Sequence, residues 1–123
     1  MKKTFLFFTV FFVSLNIHAQ LKNTKWKGTI EANTKMDVVF NFKNDTLSVS
    51  NATDGSNIET MTYMVKDSVL AMQKVFGRSN CEGTSIGKYK FEIKDDLLYI
   101  KLLSDTCNDR TSALNNSRWM KVK

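Results

Sequence analysis

Histidine is almost absent from this chain of 123 residues: the single imidazole, His18, sits in the apolar N-terminal stretch. Once that stretch is removed, Ser-His-Asp and Cys-His catalysis are excluded, as are histidine-based zinc sites. Cysteine is scarce too, with only Cys81 and Cys107. Thiols of exported chains usually pair, and two allow one intramolecular bridge. A bridge also withdraws the cysteine nucleophile and both thiolate ligands. Proline is missing altogether, and no low-complexity tract or internal repeat is present. No basic block is interleaved with aromatics, which argues against a nucleic-acid partner.

What is present begins with a charged and then apolar N-terminus. Lys2 and Lys3 precede an apolar run from Phe5 to Val13, broken only by Thr9 and extended to Ile17. Ala19 then offers a small residue before Gln20. This layout predicts a secretory signal peptide over residues 1–19, cleaved after Ala19, and an exported protein, periplasmic or extracellular. A membrane-spanning helix would need about 20 apolar residues, and this run ends sooner, in Asn16, His18 and Gln20. Residues 20–123 are then expected to form one domain with a modest core. Loss of Lys2 and Lys3 lowers the formal charge from +6 to +4. That mild basicity suits solubility or weak attraction to an anionic surface.

Alternating apolar residues predict eight strands. They cover residues 24–30, 36–43, 46–50, 58–65, 68–73, 88–93, 97–103 and 117–123. Trp26, Gly28 and Ile30 share a face of the first, and Val38, Phe40 and Phe42 a face of the second. Later inward sets are Leu47 and Val49; Met61, Tyr63 and Val65; Leu70 and Met72; Tyr89, Phe91 and Ile93; and Leu98, Ile100 and Leu102. The face of the last strand is ambiguous, because Trp119 is out of phase with Met120 and Val122. Val69, Met72, Val75 and Phe76 also fit a helical period, so the fifth segment could be helical. Residues 109–114 could form one helical turn capped by Asp109.

The connections alternate strictly between short and long. Asn44–Asp45, Lys66–Asp67 and Lys94–Asp96 are tight hairpin turns. Residues 31–35, 51–57, 74–87 and 104–116 are long. In an up-and-down meander this alternation gathers the tight turns at one end and the long loops at the other. Cys81 and Cys107 both fall in long loops, so a bridge between them is geometrically allowed, and the strand pattern that places them there depends on neither cysteine. Closing about 26 residues adds roughly 3 kcal/mol in the chain-entropy model. The fold expected is therefore all-β: an eight-stranded up-and-down antiparallel barrel with one disulfide, favoured over a two-sheet sandwich because closure removes the edges.

The residues also resemble the lipocalin-like proteins of the calycin group, in particular small exported bacterial versions. The similarity is carried by Trp26-Lys27-Gly28, by Gly87-Lys88-Tyr89-Lys90-Phe91, by Asp105-Thr106-Cys107-Asn108-Asp109-Arg110, and by Leu114 and Trp119. Thr24 stands where lipocalins usually have glycine. The resemblance implies an eight-stranded barrel and, by analogy, a small apolar ligand.

The inward residues Trp26, Phe40, Phe42, Tyr63, Met72, Tyr89 and Phe91 are the candidate lining of a ligand cavity. The alternative is a filled core, since an eight-stranded barrel is just wide enough for its own side chains or one small ligand. Tyr63 and Tyr89 discriminate, because a buried phenol requires a partner that a ligand or trapped water could supply. Asp105 and Arg110 are the candidate polar groups at the long-loop end: Arg110 suits an anion, but pairing of the two with each other is the favoured reading. Asp95 and Asp96 are read as turn residues, and Lys25, Lys27, Lys88, Lys90 and Lys101 as a solvated face.

These readings converge on an exported, non-catalytic, monomeric protein with no cofactor and no metal, holding a small apolar or amphipathic ligand. The alternative is a packed barrel whose disulfide-pinned loops bind a protein or an envelope surface.

Overall fold

The computed structural model describes residues 21–31 and 34–123. The expected signal segment, residues 1–19, lies outside the described residues. Eight strands follow in order: β1 (Thr24–Glu31), β2 (Lys35–Phe42), β3 (Thr46–Asn51), β4 (Asn57–Lys66), β5 (Val69–Gly77), β6 (Ile86–Lys94), β7 (Leu97–Ser104) and β8 (Ser117–Val122). One short helix, α1 (Asn108–Leu114), lies between β7 and β8. Each strand pairs antiparallel with the next, and β1 pairs with β8, so the sheet closes into a barrel. At the closure Lys25 faces Val122, Trp26 faces Lys121 and Lys27 faces Met120.

Local chemistry fixes the tight end. Asp67 and Ser68 have φ of 51° and 65°, and Asp95 and Asp96 have φ of 53° and 61°. Positive φ at both central residues is the two-residue hairpin geometry whose twist matches that of the flanking strands, and aspartate tolerates it. The side chains entering from this end fill it: Leu21, Phe42, Leu47, Leu70 and Leu98 are fully buried. Phe42 meets Tyr63 edge to face, with centroids 5.1 Å apart, and the Tyr63 hydroxyl donates to the Lys43 carbonyl.

Both tryptophans are buried, and each indole is satisfied from two residues upstream. Trp26 Nε1 donates to Thr24 Oγ1 at 2.8 Å, and Trp119 Nε1 donates to Ser117 Oγ at 2.9 Å. The ambiguity of the last strand resolves with Trp119 inward and Met120 exposed. The reason is Gly28. A Cβ there would lie 2.7 Å from Cζ3 of the Trp119 ring and closer still to Cε3, so the missing side chain makes the space in which Trp119 stacks on Phe40, centroids 3.9 Å apart.

The fifth segment is the strand that its alternation predicts and not the helix that its other period allowed, because β5 is hydrogen-bonded to both β4 and β6 and its Leu70 and Met72 alternate into the core. One expectation needs correction. The helical turn exists, but Asp109 does not cap it. Cys107 occupies the cap position without a side-chain bond, and Asp109 Oδ2 instead accepts from the Asn80 amide at 2.8 Å.

A candidate ligand cavity at the long-loop end

The long-loop end is built differently from the tight end. Cys81 and Cys107 are bonded, with Cα atoms 5.2 Å apart, and so tie the β5–β6 loop to the segment leading into α1. Further bonds reinforce the tie. The Ser85 and Thr106 hydroxyls are 2.8 Å apart, and Arg110 Nη2 donates to the Ser85 carbonyl at 3.2 Å. The loops around this opening are therefore held at several points.

Beneath the bridge lies a buried polar cluster. Arg110 grips Asp105 with two parallel bonds, Nε to Oδ2 at 2.6 Å and Nη2 to Oδ1 at 2.8 Å. The Tyr89 hydroxyl donates to Oδ2 at 2.5 Å and the Cys107 amide to Oδ1 at 2.9 Å. Asp105 is the acceptor that holds the loop before α1 in a tight turn. Gly87 makes room for the cluster, since a Cβ there would lie 2.6 Å from Arg110 Nε and closer still to the Asp105 carboxylate. Burial alone would raise the Asp105 carboxyl, but the bonds from Arg110, Tyr89 and Cys107 together hold it below the ordinary carboxylate value. Burial, reinforced by Asp105, pushes the Tyr89 phenol well above its ordinary value. Burial, with Asp45 nearby, also raises Tyr63. Both buried phenols thus have protein partners, and neither waits for a ligand.

Between this cluster and the filled half of the barrel is a cavity of about 660 Å³. Its apolar wall comes from the long-loop ends of the strands: Ile30, Met36, Phe40, Val49, Ile58 and Met61, with Leu114 of α1. Its polar groups include Glu59, Lys74, Arg78, Asp109 and Arg110. Such a volume lies within the range that small-molecule sites occupy. A second depression of about 430 Å³ lies over the disulfide, lined by Asn80, Glu82, Ser85 and Thr106 among others. It lacks any aliphatic or aromatic wall.

The seven nominated lining residues divide unequally. Phe40 lines the cavity. Trp26, Phe42, Tyr63, Met72, Tyr89 and Phe91 are buried but are not part of its wall. Large rings in short strands consume the interior where they point, and space is left where aliphatic residues point instead. Asp105 and Arg110 come together as a buried pair, and Arg110 also borders the cavity.

Glu59 and Lys74 escaped the sequence reading. Glu59 is buried, with Lys74 Nζ 3.8 Å from its Oε1. The signal was available, because Glu59 shares the inward phase of Met61 and Tyr63, and a charged residue is rarely buried without a partner.

The chain matches no protein-family model, no curated protein and no solved structure.

Proposed function

We propose that this chain is an exported, non-catalytic binding protein that holds a small amphipathic ligand at the long-loop end of its barrel. The observation that carries the reading is the cavity itself. Its aliphatic floor would take the apolar body of a ligand, and its charged groups would meet a polar head. The lipocalin-like resemblance points the same way, and so does a disulfide, which suits an oxidising compartment. On this reading no cofactor takes part, and the tight end serves as a rigid plug. Strands carry most of the aliphatic wall, and the disulfide-tied β5–β6 loop and α1 supply the rest, which favours a preformed site.

A second reading has support of its own. Val75, Phe76, Ile86 and Leu103 are more than half exposed, and all four sit at the long-loop ends of their strands. A protein or envelope-surface partner could use them together with the pinned loops.

Intact-mass measurement separates the two. Protein purified from its natural host is weighed under native and then denaturing conditions. The binding reading expects an added mass that leaves on unfolding. A bare chain that also fails to retain an added apolar probe would favour the loop-docking reading.

A further inference from the structure

Lys25, Lys27, Lys88, Lys90 and Lys101, read in sequence as a solvated face, come together on one side of the closed barrel. β6, β7, β8 and β1 are successive neighbours in the sheet, so their outward residues form one continuous wall. Lys88 and Lys90 of β6, Lys101 of β7, Arg118 of β8 and Lys25 and Lys27 of β1 are all exposed on it. Lys94 ends β6 on the same face. Acids are sparse there. Glu92 stands on β6, and Glu31 at the end of β1 is engaged by Lys35 of β2. Asp95 and Asp96 lie beyond the wall in the β6–β7 turn, beside exposed Lys121, whose amide donates to the Asp96 carbonyl. The other half of the barrel differs: the outward charges within β2–β5 are Lys35, Asp37 and Lys66.

The protein does not answer this charge itself. The described residues contain three ion pairs, Glu31–Lys35, Glu59–Lys74 and Asp105–Arg110, and none uses a cation of the wall. Lys90 and Lys101 stand directly opposite each other across β6 and β7. Like charges so placed destabilise a sheet, and an external anion over them would relieve the repulsion. Apolar groups are set among the cations. Met120, 64% exposed, is flanked by Lys27 on β1 and by Leu97 on β7, which in turn pairs with Lys94. Val122 faces Lys25, and Tyr99, 40% exposed, lies between Glu92 and Arg118. Lysine is depleted at the centres of protein–protein interfaces. At a bilayer, by contrast, it can lay its alkyl stem on apolar surface and hold its ammonium among headgroups, a level that tyrosine also favours. We propose that the outer wall of β6, β7, β8 and β1 docks the protein on an anionic lipid bilayer. The lysines meet the headgroups, and Met120 and Tyr99 reach between them. β6, β7 and β8 contribute no residue to the cavity lining, so this surface is independent of the ligand reading.

Co-sedimentation of the purified protein with vesicles tests the proposal. Vesicles of phosphatidylcholine are compared with vesicles of equimolar phosphatidylcholine and phosphatidylglycerol. At 0.1 M salt the mixed vesicles should bind roughly a hundredfold more tightly, since each lysine near such a surface is worth about fivefold. The advantage should vanish near 1 M salt, where the screening length is about 3 Å. Lys90→Glu with Lys101→Glu keeps a like-charge pair across the strands but should remove most of the advantage. Lys35→Glu with Lys66→Glu makes the same change in net charge on the other half of the barrel. It should weaken binding by less than about threefold, because charges beyond about 10 Å are screened at 0.1 M salt. Equal binding to both kinds of vesicle would overturn the proposal. So would equal losses from the two double variants, which would assign the attraction to net charge alone. Tighter binding to duplex DNA than to the mixed vesicles would overturn it in favour of a soluble polyanion. The vesicle comparison on the unmodified protein decides the matter even if a variant does not fold, and none of these results bears on the cavity.

Discussion

Replacing Asp105 by alanine would strand a guanidinium. The Asp105 side chain is fully buried and that of Arg110 is 4% exposed, so the guanidinium left behind is poorly solvated. Removing one member of a buried pair typically costs about 3–5 kcal/mol. Asp105 also accepts from the Tyr89 hydroxyl and the Cys107 amide, so the upper part of that range is expected. For a domain whose whole stability is about 5–15 kcal/mol, that is a large share. Urea unfolding at neutral pH, with the disulfide intact, measures it. The double replacement Asp105→Leu with Arg110→Met removes both charges and should cost less than Asp105→Ala alone. Acid supplies an internal check. The Asp105 carboxyl lies below its ordinary value in the fold, so its contribution is present above the unfolded value and is lost as pH falls through the folded one. The gap in stability between the parent and Asp105→Ala should therefore narrow as pH falls below about 4. A loss of under about 1 kcal/mol at neutral pH would refute the reasoning, because that is the worth of an exposed bridge.

Other outcomes follow from the same geometry. Changing Cys81 and Cys107 together to serine should cost about 3 kcal/mol in urea unfolding, while far-ultraviolet circular dichroism keeps its β signature. Gly28→Ala should displace the Trp119 ring from Phe40, costing about 1–3 kcal/mol and altering the near-ultraviolet spectrum. Tyr63 and Tyr89 are held neutral in the fold, so their contribution is complete below the unfolded phenol value of about 10 and is lost as pH rises above it. Absorbance at tyrosinate wavelengths should show these two ionising together with unfolding, rather than before it.

Much of the barrel was readable because a strand's period of two is unforgiving. Trp26, Phe40, Phe42, Tyr63, Tyr89 and Phe91 fall on the inward phase of their strands, and all are buried as that period requires. The strict alternation of short and long connections placed Cys81 and Cys107 at one end, where they are bonded. Trp119 was harder, because its inward phase depends on a vacant volume at Gly28, a residue distant in sequence. The site was less legible than the fold. Periodicity says which residues face inward, but not how far along the barrel axis the rings exhaust the space. The large aromatics suit the wall of a cavity or a filled core equally well in sequence, and most of them fill the rest of the barrel. Glu59 was visible as an inward charge, but its setting depends on register slips beside its pairings with Val49 and Gly77, which no local pattern announces.

Chemical-shift mapping tests the central claim most directly. Backbone and methyl resonances are followed while octanamide, a small amphipathic probe, is added to the isotopically labelled protein. The account predicts shifts concentrated at Ile30, Met36, Val49, Ile58, Met61 and Leu114, with Leu47, Leu70 and Leu98 at the plugged end unmoved. Shifts confined to exterior residues such as Met64 and Met120, or no shifts at any concentration the ligand allows, would contradict it.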